Sequence, residues 1–146
     1  MHQVPWFERV FAFDRPLADA PALIERVRGT SARLAARVAT LPASVRTGSA
    51  DGTWSIQQHV GHLGDLEPLW LRRVEDLLAG RDTLSPTDLA NSASHEANHN
   101  AQSIDVLLAR FRDARAALVD RLERCADSDW LRSARHPRLG TQMRLL

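Results

Sequence analysis

The stretch Trp54-Ser-Ile-Gln-Gln-His59-Val-Gly61-His62-Leu-Gly64-Asp65-Leu-Glu67-Pro68-Leu-Trp70 decides how the rest of the chain is read. On a wheel of about 100° per residue, Val60, Leu63, Leu66, Leu69, Trp70, Val74 and Leu77 form one broad apolar arc, as in a helix packed against a core. His59 falls inside that arc and His62 at its edge. The same helix carries residues that weaken it. Gly61 and Gly64 each cost about 1 kcal/mol relative to alanine, and Pro68, which has no amide hydrogen to bond the Gly64 carbonyl, typically costs ~3 kcal/mol. One reading is close helix packing at the glycines with a kink at the proline. The other is room for a ligand beside an imidazole, with Asp65 and Glu67, one turn on, either orienting that imidazole or standing in solvent.

Working outward, Ser55 with Gln58 three residues later makes a capping box, so this second helix starts there, runs to about Ala79 and stops at Gly80. Before it, Leu23, Val27, Leu34, Val38 and Leu41 recur at helical spacing and predict a first helix over Pro21 to Thr40, with Pro21 in its first turn and Pro42 at its exit. Val4 to Asp14, with Trp6, Phe7, Phe11 and Phe13, reads as a short lead-in helix or a segment laid across the bundle. After Gly80, Arg81 to Ser94 has little periodicity and is longer than an antiparallel helix pair needs, which allows a crossover to the far end. A third helix is expected from Ala97 to Arg124, with Ile104, Leu107, Leu108, Phe111, Leu118 and Leu122 on one face. The closing Thr141-Gln-Met-Arg-Leu-Leu146 has the composition of a helix beginning. Three long amphipathic helices without a strand pattern or repeat predict an all-α, four-helix bundle in one domain over 1–146, cut short before its last helix.

The 146 residues suit one hydrophobic core. Nineteen basic residues against 18 acidic ones, a net charge of +1, leave no stripe for a polyanion, so nucleic acid is not an expected partner. All the basic residues are arginine, a skew that fits codon composition and carries no functional weight. The single Cys125 has no disulfide partner in the chain and reads as a buried structural thiol in a reducing compartment. No run of about eighteen apolar residues suggests a membrane span, and a soluble cytoplasmic protein is expected.

Ser94-His95-Glu96-Ala97-Asn98-His99-Asn100 formally contains His-Glu-x-x-His, which in zinc peptidases sets two imidazoles on one helical face with the glutamate as general base. The polar flanks and the lack of a third marked ligand argue against a peptidase. A polar helix start or a pocket wall remain as readings. His136, ahead of Pro137, and His2 gain no role from spacing.

Taken in order, Trp54-Ser-Ile with Gly61-His62-Leu-Gly-Asp-Leu-Glu-Pro-Leu-Trp70, Asp88-Leu-Ala-Asn91, His95-Glu-Ala-Asn-His-Asn100 and His136-Pro-Arg-Leu-Gly140 resemble the DinB-like (YfiT-like) metalloenzymes over nearly the whole chain. The resemblance implies a four-helix bundle whose second and third helices run parallel across a long crossover. It also implies a divalent metal, nickel or zinc, held by one histidine of helix two and two from a His-x-x-x-His on the last helix. His62 matches the first ligand. The other two have no counterpart here, either because the last helix is not included or because the site is lost, with His59, His95 and His99 as the available substitutes. Characterised members resemble thiol-dependent transferases, for which a bound cation would lower a thiol's pKa. On this reading His62 is the metal ligand, His59 and Asp65 support the bound group, and Glu96 and His99 are candidate catalytic acid-base residues. The partners would be a low-molecular-weight thiol, an electrophile and a second copy of the chain covering exposed apolar faces. The competing reading is a non-catalytic, stress-associated dimer with structural histidines.

Overall fold

A computed structural model describes residues 14–50 and 52–146, and the lead-in segment Val4 to Phe13 and His2 lie outside them. Among the described residues, six α-helices and one strand pair follow in order: α1 (Ala20–Arg28), α2 (Thr30–Ala39), α3 (Ala43–Thr47), α4 (Ile56–Leu78), α5 (Ser92–Glu96), α6 (Ile104–Glu123), β1 (Ser133–Arg135) and β2 (Gln142–Arg144). No helix among the described residues is long and apolar enough to cross a membrane.

The expected first helix is divided at Gly29, where φ −72° and ψ −5° flatten one turn. The Arg26 carbonyl, which an unbroken helix would give to the Thr30 amide, accepts the Thr30 hydroxyl at 2.9 Å and the Arg33 guanidinium at 2.6 Å. Such side-chain bonding back to the helix bends it. The second helix forms as expected. Ser55 Oγ accepts the Gln58 amide at 3.1 Å, Gln58 Oε1 accepts the Ser55 amide at 2.9 Å, and Gly80 takes the left-handed φ of 69° that ends the run. α4 continues through Pro68, which lies on its exposed side.

α4 and α6 are parallel. Asp65 pairs with Arg110, Glu67 with Arg115 and Glu75 with Arg121, so partner numbers rise together along both helices. α1–α2 runs against α6, with Arg28 on Glu123 and Val38 on Leu107. The connection from α4 to α6 must therefore return the chain to its starting end. On its way Leu84 donates its amide to Arg135 O at 3.1 Å and Arg135 donates to Asp82 O at 2.9 Å, which fastens the crossover to the edge of β1. One apolar cluster, Val38, Val60 and Leu107 with Leu34, Ile104 and Leu108, fills the end where α4 begins. A second, Leu77, Leu84 and Ala134 with Met143 and Leu145, fills the other.

Two further expectations change. The third helix begins at Ile104 rather than Ala97, because Asn98 adopts a left-handed φ of 45° and the carbonyls of His99 and Gln102 are taken by the Gln57 side chain at 3.0 and 2.8 Å. The tail expected to start a helix instead forms β2, antiparallel to β1 with Ala134 opposite Met143. No α-helix follows α6 among the described residues. Cys125 is half-buried, its thiol donating to Arg121 O at 3.5 Å, and burial pushes its pKa up, as suits a structural thiol.

Candidate functional site

Between α4, the crossover and α6, Asp65 is the centre of a hydrogen-bonded group. Its Oδ2 accepts Ser94 Oγ at 2.6 Å and His99 Nε2 at 2.8 Å, and its Oδ1 accepts Arg110 Nη2 at 2.5 Å. Ser94 Oγ also meets His62 Nδ1 at 2.9 Å. A carboxylate only accepts, so the one hydroxyl proton of Ser94 goes to Asp65, and Ser94 must accept from His62 Nδ1–H. In the neutral imidazole this leaves the lone pair on Nε2, which has no hydrogen-bond partner among the described residues. Burial pushes the His62 pKa down, outweighing the nearby Asp65 charge, so the neutral form prevails. Burial alone would raise Asp65, but the bonds from Ser94 and His99 and the charge of Arg110 hold its carboxyl below the usual range.

The glycines make this group possible. A Cβ on Gly61 would lie 2.5 Å from Cδ2 of the His99 ring and nearer still to Cγ and Nδ1, so the ring occupies the space a side chain would take. His99 is 1% exposed there. At Gly64 the neighbour is Arg110 Nε at 3.1 Å, the end of a flexible, exposed side chain that also donates to Gly61 O at 3.0 Å. The loop carrying His99 is fixed by buried Gln57 and by Ser55 Oγ, which donates to Asn100 Oδ1 at 2.7 Å.

His62 stands at the junction of two clefts. The larger, of about 590 Å³, runs along α4 past Leu63, Leu66, Trp70 and Arg73 to His136 and Met143. The smaller, of about 280 Å³, lies between Asp65, Arg72, Pro86 and Ser94. The middle of the apolar arc read from the sequence is this open cleft wall, since Leu63, Leu66, Leu69 and Trp70 are only half-buried while Val60, Val74 and Leu77 are buried.

Of the five residues singled out from the sequence, His62 and Asp65 meet through Ser94 and border the clefts, and His99 joins them through Asp65 from the buried side. His59, expected inside the apolar arc, is exposed, its ring 5.5 Å from that of Trp54, which also meets His62 and His95 edge-on at 4.9 and 5.1 Å. Glu96 is exposed on α5 and borders neither cleft. His95 and His99 do not share a helical face, because Asn98 breaks the helix between them. Glu67 turns from His62 to Arg115. Sequence reading passed over Ser94, Arg110 and Gln57, which carry no motif and matter only through what the crossover brings to them.

Among the described residues no three His, Cys, Asp or Glu side chains converge to hold a metal ion. His62 is one imidazole donor with its orienting groups in place, and the nearest carboxylate, Asp65, is fully engaged. The described residues therefore do not by themselves fit a metal centre.

Asp65→Asn tests the group. An amide has one acceptor oxygen where the carboxylate has two, so some of its three donors lose their partner, and a loss of about 1–2 kcal/mol is expected in urea unfolding at pH 7. Since the Asp65 pKa is depressed, its contribution is present above the ordinary carboxylate range and is lost as the pH falls through the folded value. The variant and the parent should then converge in acid.

The fold is similar to that of YfiT from Bacillus subtilis, described as a probable metal-dependent hydrolase with an unusual four-helix bundle topology. The TM-score is 0.79 at 20% identity, over 94% of this chain and 79% of that one. The chain has the all-α architecture of that bundle with its long crossover, and its long helices among the described residues are α1–α2, α4 and α6. No curated protein gives a significant match. The family model of the DinB superfamily matches residues 24–146, from within α1 through the Asp65 group and the crossover to β2, and the chain belongs to that superfamily.

Proposed function

We propose that the protein is a metal-dependent enzyme of the DinB type acting on a small molecule, with His62 as the donor these residues contribute and the remaining donors from outside them. The observation that supports this is the relay Asp65–Ser94–His62, which keeps the Nε2 lone pair of a half-buried imidazole free where two clefts meet. Histidine ligands are commonly oriented in this way by a bond at the other ring nitrogen. The metal class is nickel or zinc. The reaction class is transfer of a low-molecular-weight thiol to an electrophile, and the larger cleft has the volume of a small-molecule site. Within this reading Asp65 positions His62, and His99 positions Asp65.

The competing reading, a non-catalytic bundle that pairs with a second copy, draws on Gly61, whose missing side chain is replaced by the His99 ring and so serves packing. Metal content separates the two. The intact, tag-free protein purified without chelator is expected to carry close to one divalent ion per chain by elemental analysis. His62→Ala should lose that ion while the metal-free melting temperature changes by no more than roughly 3 °C, the effect of about 1 kcal/mol in a domain of this size. Absence of stoichiometric metal from the intact protein would falsify the enzyme reading.

A further inference from the structure

The far end of the larger cleft holds a second polar group that the His62 relay does not use. Arg73, 7% exposed, sends Nε to Ser85 O at 3.0 Å and Nη1 to His136 Nε2 at 3.2 Å, and its Nη2 is buried with no acceptor among the described residues. The nearby carboxylate of Asp76 takes the Ser85 amide at 2.7 Å and Arg81 at 3.1 Å, and makes no hydrogen bond to Arg73. His136 is fixed by the loop it begins. Its Nδ1 accepts the amides of Arg138 and Leu139, each at 3.2 Å, and Gly140, at φ 70°, returns the chain to β2.

Those two amides determine the tautomer. They need the Nδ1 lone pair, so the ring proton of neutral His136 sits on Nε2. Nε2–H then faces Arg73 Nη1–H, donor to donor, beside the unpaired Nη2. Three donors on two neighbouring groups share no acceptor. The Trp70 ring, its centre 5.4 Å from the guanidinium carbon, and the Asp76 charge offset part of the burial, but neither gives these donors a hydrogen-bond acceptor, which an anion in the cleft would supply.

The walls say what kind of anion. Arg73 and His136 border a cleft whose apolar lining includes Leu63, Leu66, Trp70, Leu139 and Met143, and Arg138 adds a further cation at the exposed rim. Its one carboxylate, Asp88, is occupied by the amides of Ala90 and Ser92 at 2.9 and 2.7 Å. His62 and Arg73 are eleven residues apart on one helix, close to three full turns, so both face the same stripe with about 16 Å of rise between them.

We infer that Arg73 and His136 form the head-group subsite for an organic carboxylate, whose apolar body lies along Leu66 and Trp70 and whose far end reaches His62. This rests on the small-molecule reading of the cleft and gives the substrate class: an elongated acid, not a neutral or cationic compound. The carboxylate oxygen sits between Nε2–H and the guanidinium and replaces a contact between two donors. The head meets the guanidinium from the cleft side, which Arg73 and His136 both border, while Arg73 Nε stays on Ser85 O.

Octanoate, 1-octanol and octylammonium have the same apolar chain and differ in the head, and calorimetric titration compares them. Octanoate is expected to bind one per chain, roughly tenfold or more tighter than octanol, with octylammonium weakest, as a charge-assisted bond requires. Arg73→Gln should bring octanoate down to the octanol level without weakening octanol, and Arg73→Lys should keep part of the preference. A second reading needs no variant: the side-chain nitrogen resonances of His136 should shift with octanoate and not with octanol. Equal binding of octanoate and octanol, no binding of either, or an unshifted His136 would overturn the subsite. All titrations are run on metal-free protein and repeated with His62→Ala, so a missing metal and a missing carboxylate preference are read separately.

Discussion

Arg115→Met is expected to destabilise the protein by about 3–5 kcal/mol at pH 7.5, the cost of leaving a buried charge without its partner. Glu67 is 2% exposed on the face of α4 that meets α6, and its Oε1 accepts Arg115 Nη2 at 2.5 Å. Its Oε2 and Arg115 Nε have no hydrogen-bond partner among the described residues. The guanidinium also lies 5.0 Å from the Phe111 ring centre, so methionine keeps part of the packing and removes the charge. Burial raises the Glu67 pKa, and the Arg115 charge opposes that rise without cancelling it. A raised carboxyl favours the fold most at a pH below its unfolded value, and that contribution is lost as the pH rises through the folded value. Without Arg115 the folded value climbs further. The deficit of the variant should therefore be greatest near pH 8 and shrink in acid, where Glu67 is protonated. Urea unfolding of parent, Arg115→Met and Arg115→Met/Glu67→Leu over this range checks it, and the double variant should recover most of the loss. A deficit that does not change with pH would mean that Glu67 is not the group left stranded.

Gly61→Ala is the second large effect, and its sign opposes helix propensity. Alanine in a helix interior should gain about 1 kcal/mol over glycine. Here the added methyl meets the His99 ring, which is held by Asp65 on one side and whose backbone carbonyl is held by Gln57 on the other, so neither neighbour can retreat cheaply. Overpacking a fixed site costs about 1–3 kcal/mol or more. We expect a net loss of about 2 kcal/mol, a fall in melting temperature of roughly 4–8 °C for a chain of this length. Gly64→Ala is the control. Its methyl meets only the movable end of Arg110, and the variant should be neutral or slightly stabilised. Adding His99→Ala to Gly61→Ala should make the glycine change harmless. Equal melting temperatures for Gly61→Ala and Gly64→Ala would remove the packing argument.

The long helix was legible because its signals are local. The Ser55–Gln58 box and Gly80 set the ends of α4 within a residue, and the arc from Val60 to Leu77 marked its inner face. What misled lies where a distant residue decides the backbone. The 97–103 segment reads as the start of the third helix although its apolar face begins only at Ile104, and there Gln57 takes its carbonyls and a left-handed Asn98 breaks it. The 141–146 tail reads as a helix start, but β1 offers it a partner and it pairs as a strand. His59 and Glu67 show the limit of a helical wheel, which gives an angle and not what stands opposite it.

By itself the sequence determined the long helix α4, the crossover and the family, since capping, periodicity and motif order are all written along one segment at a time. Only the tertiary structure decided that Gly61 makes room for His99, that Ser94 sets the His62 tautomer through Asp65, and that His136 lies against Arg73. Those are contacts between residues 29 to 63 positions apart, and nothing in the local chemistry of either partner specifies the distance between them until the core has closed.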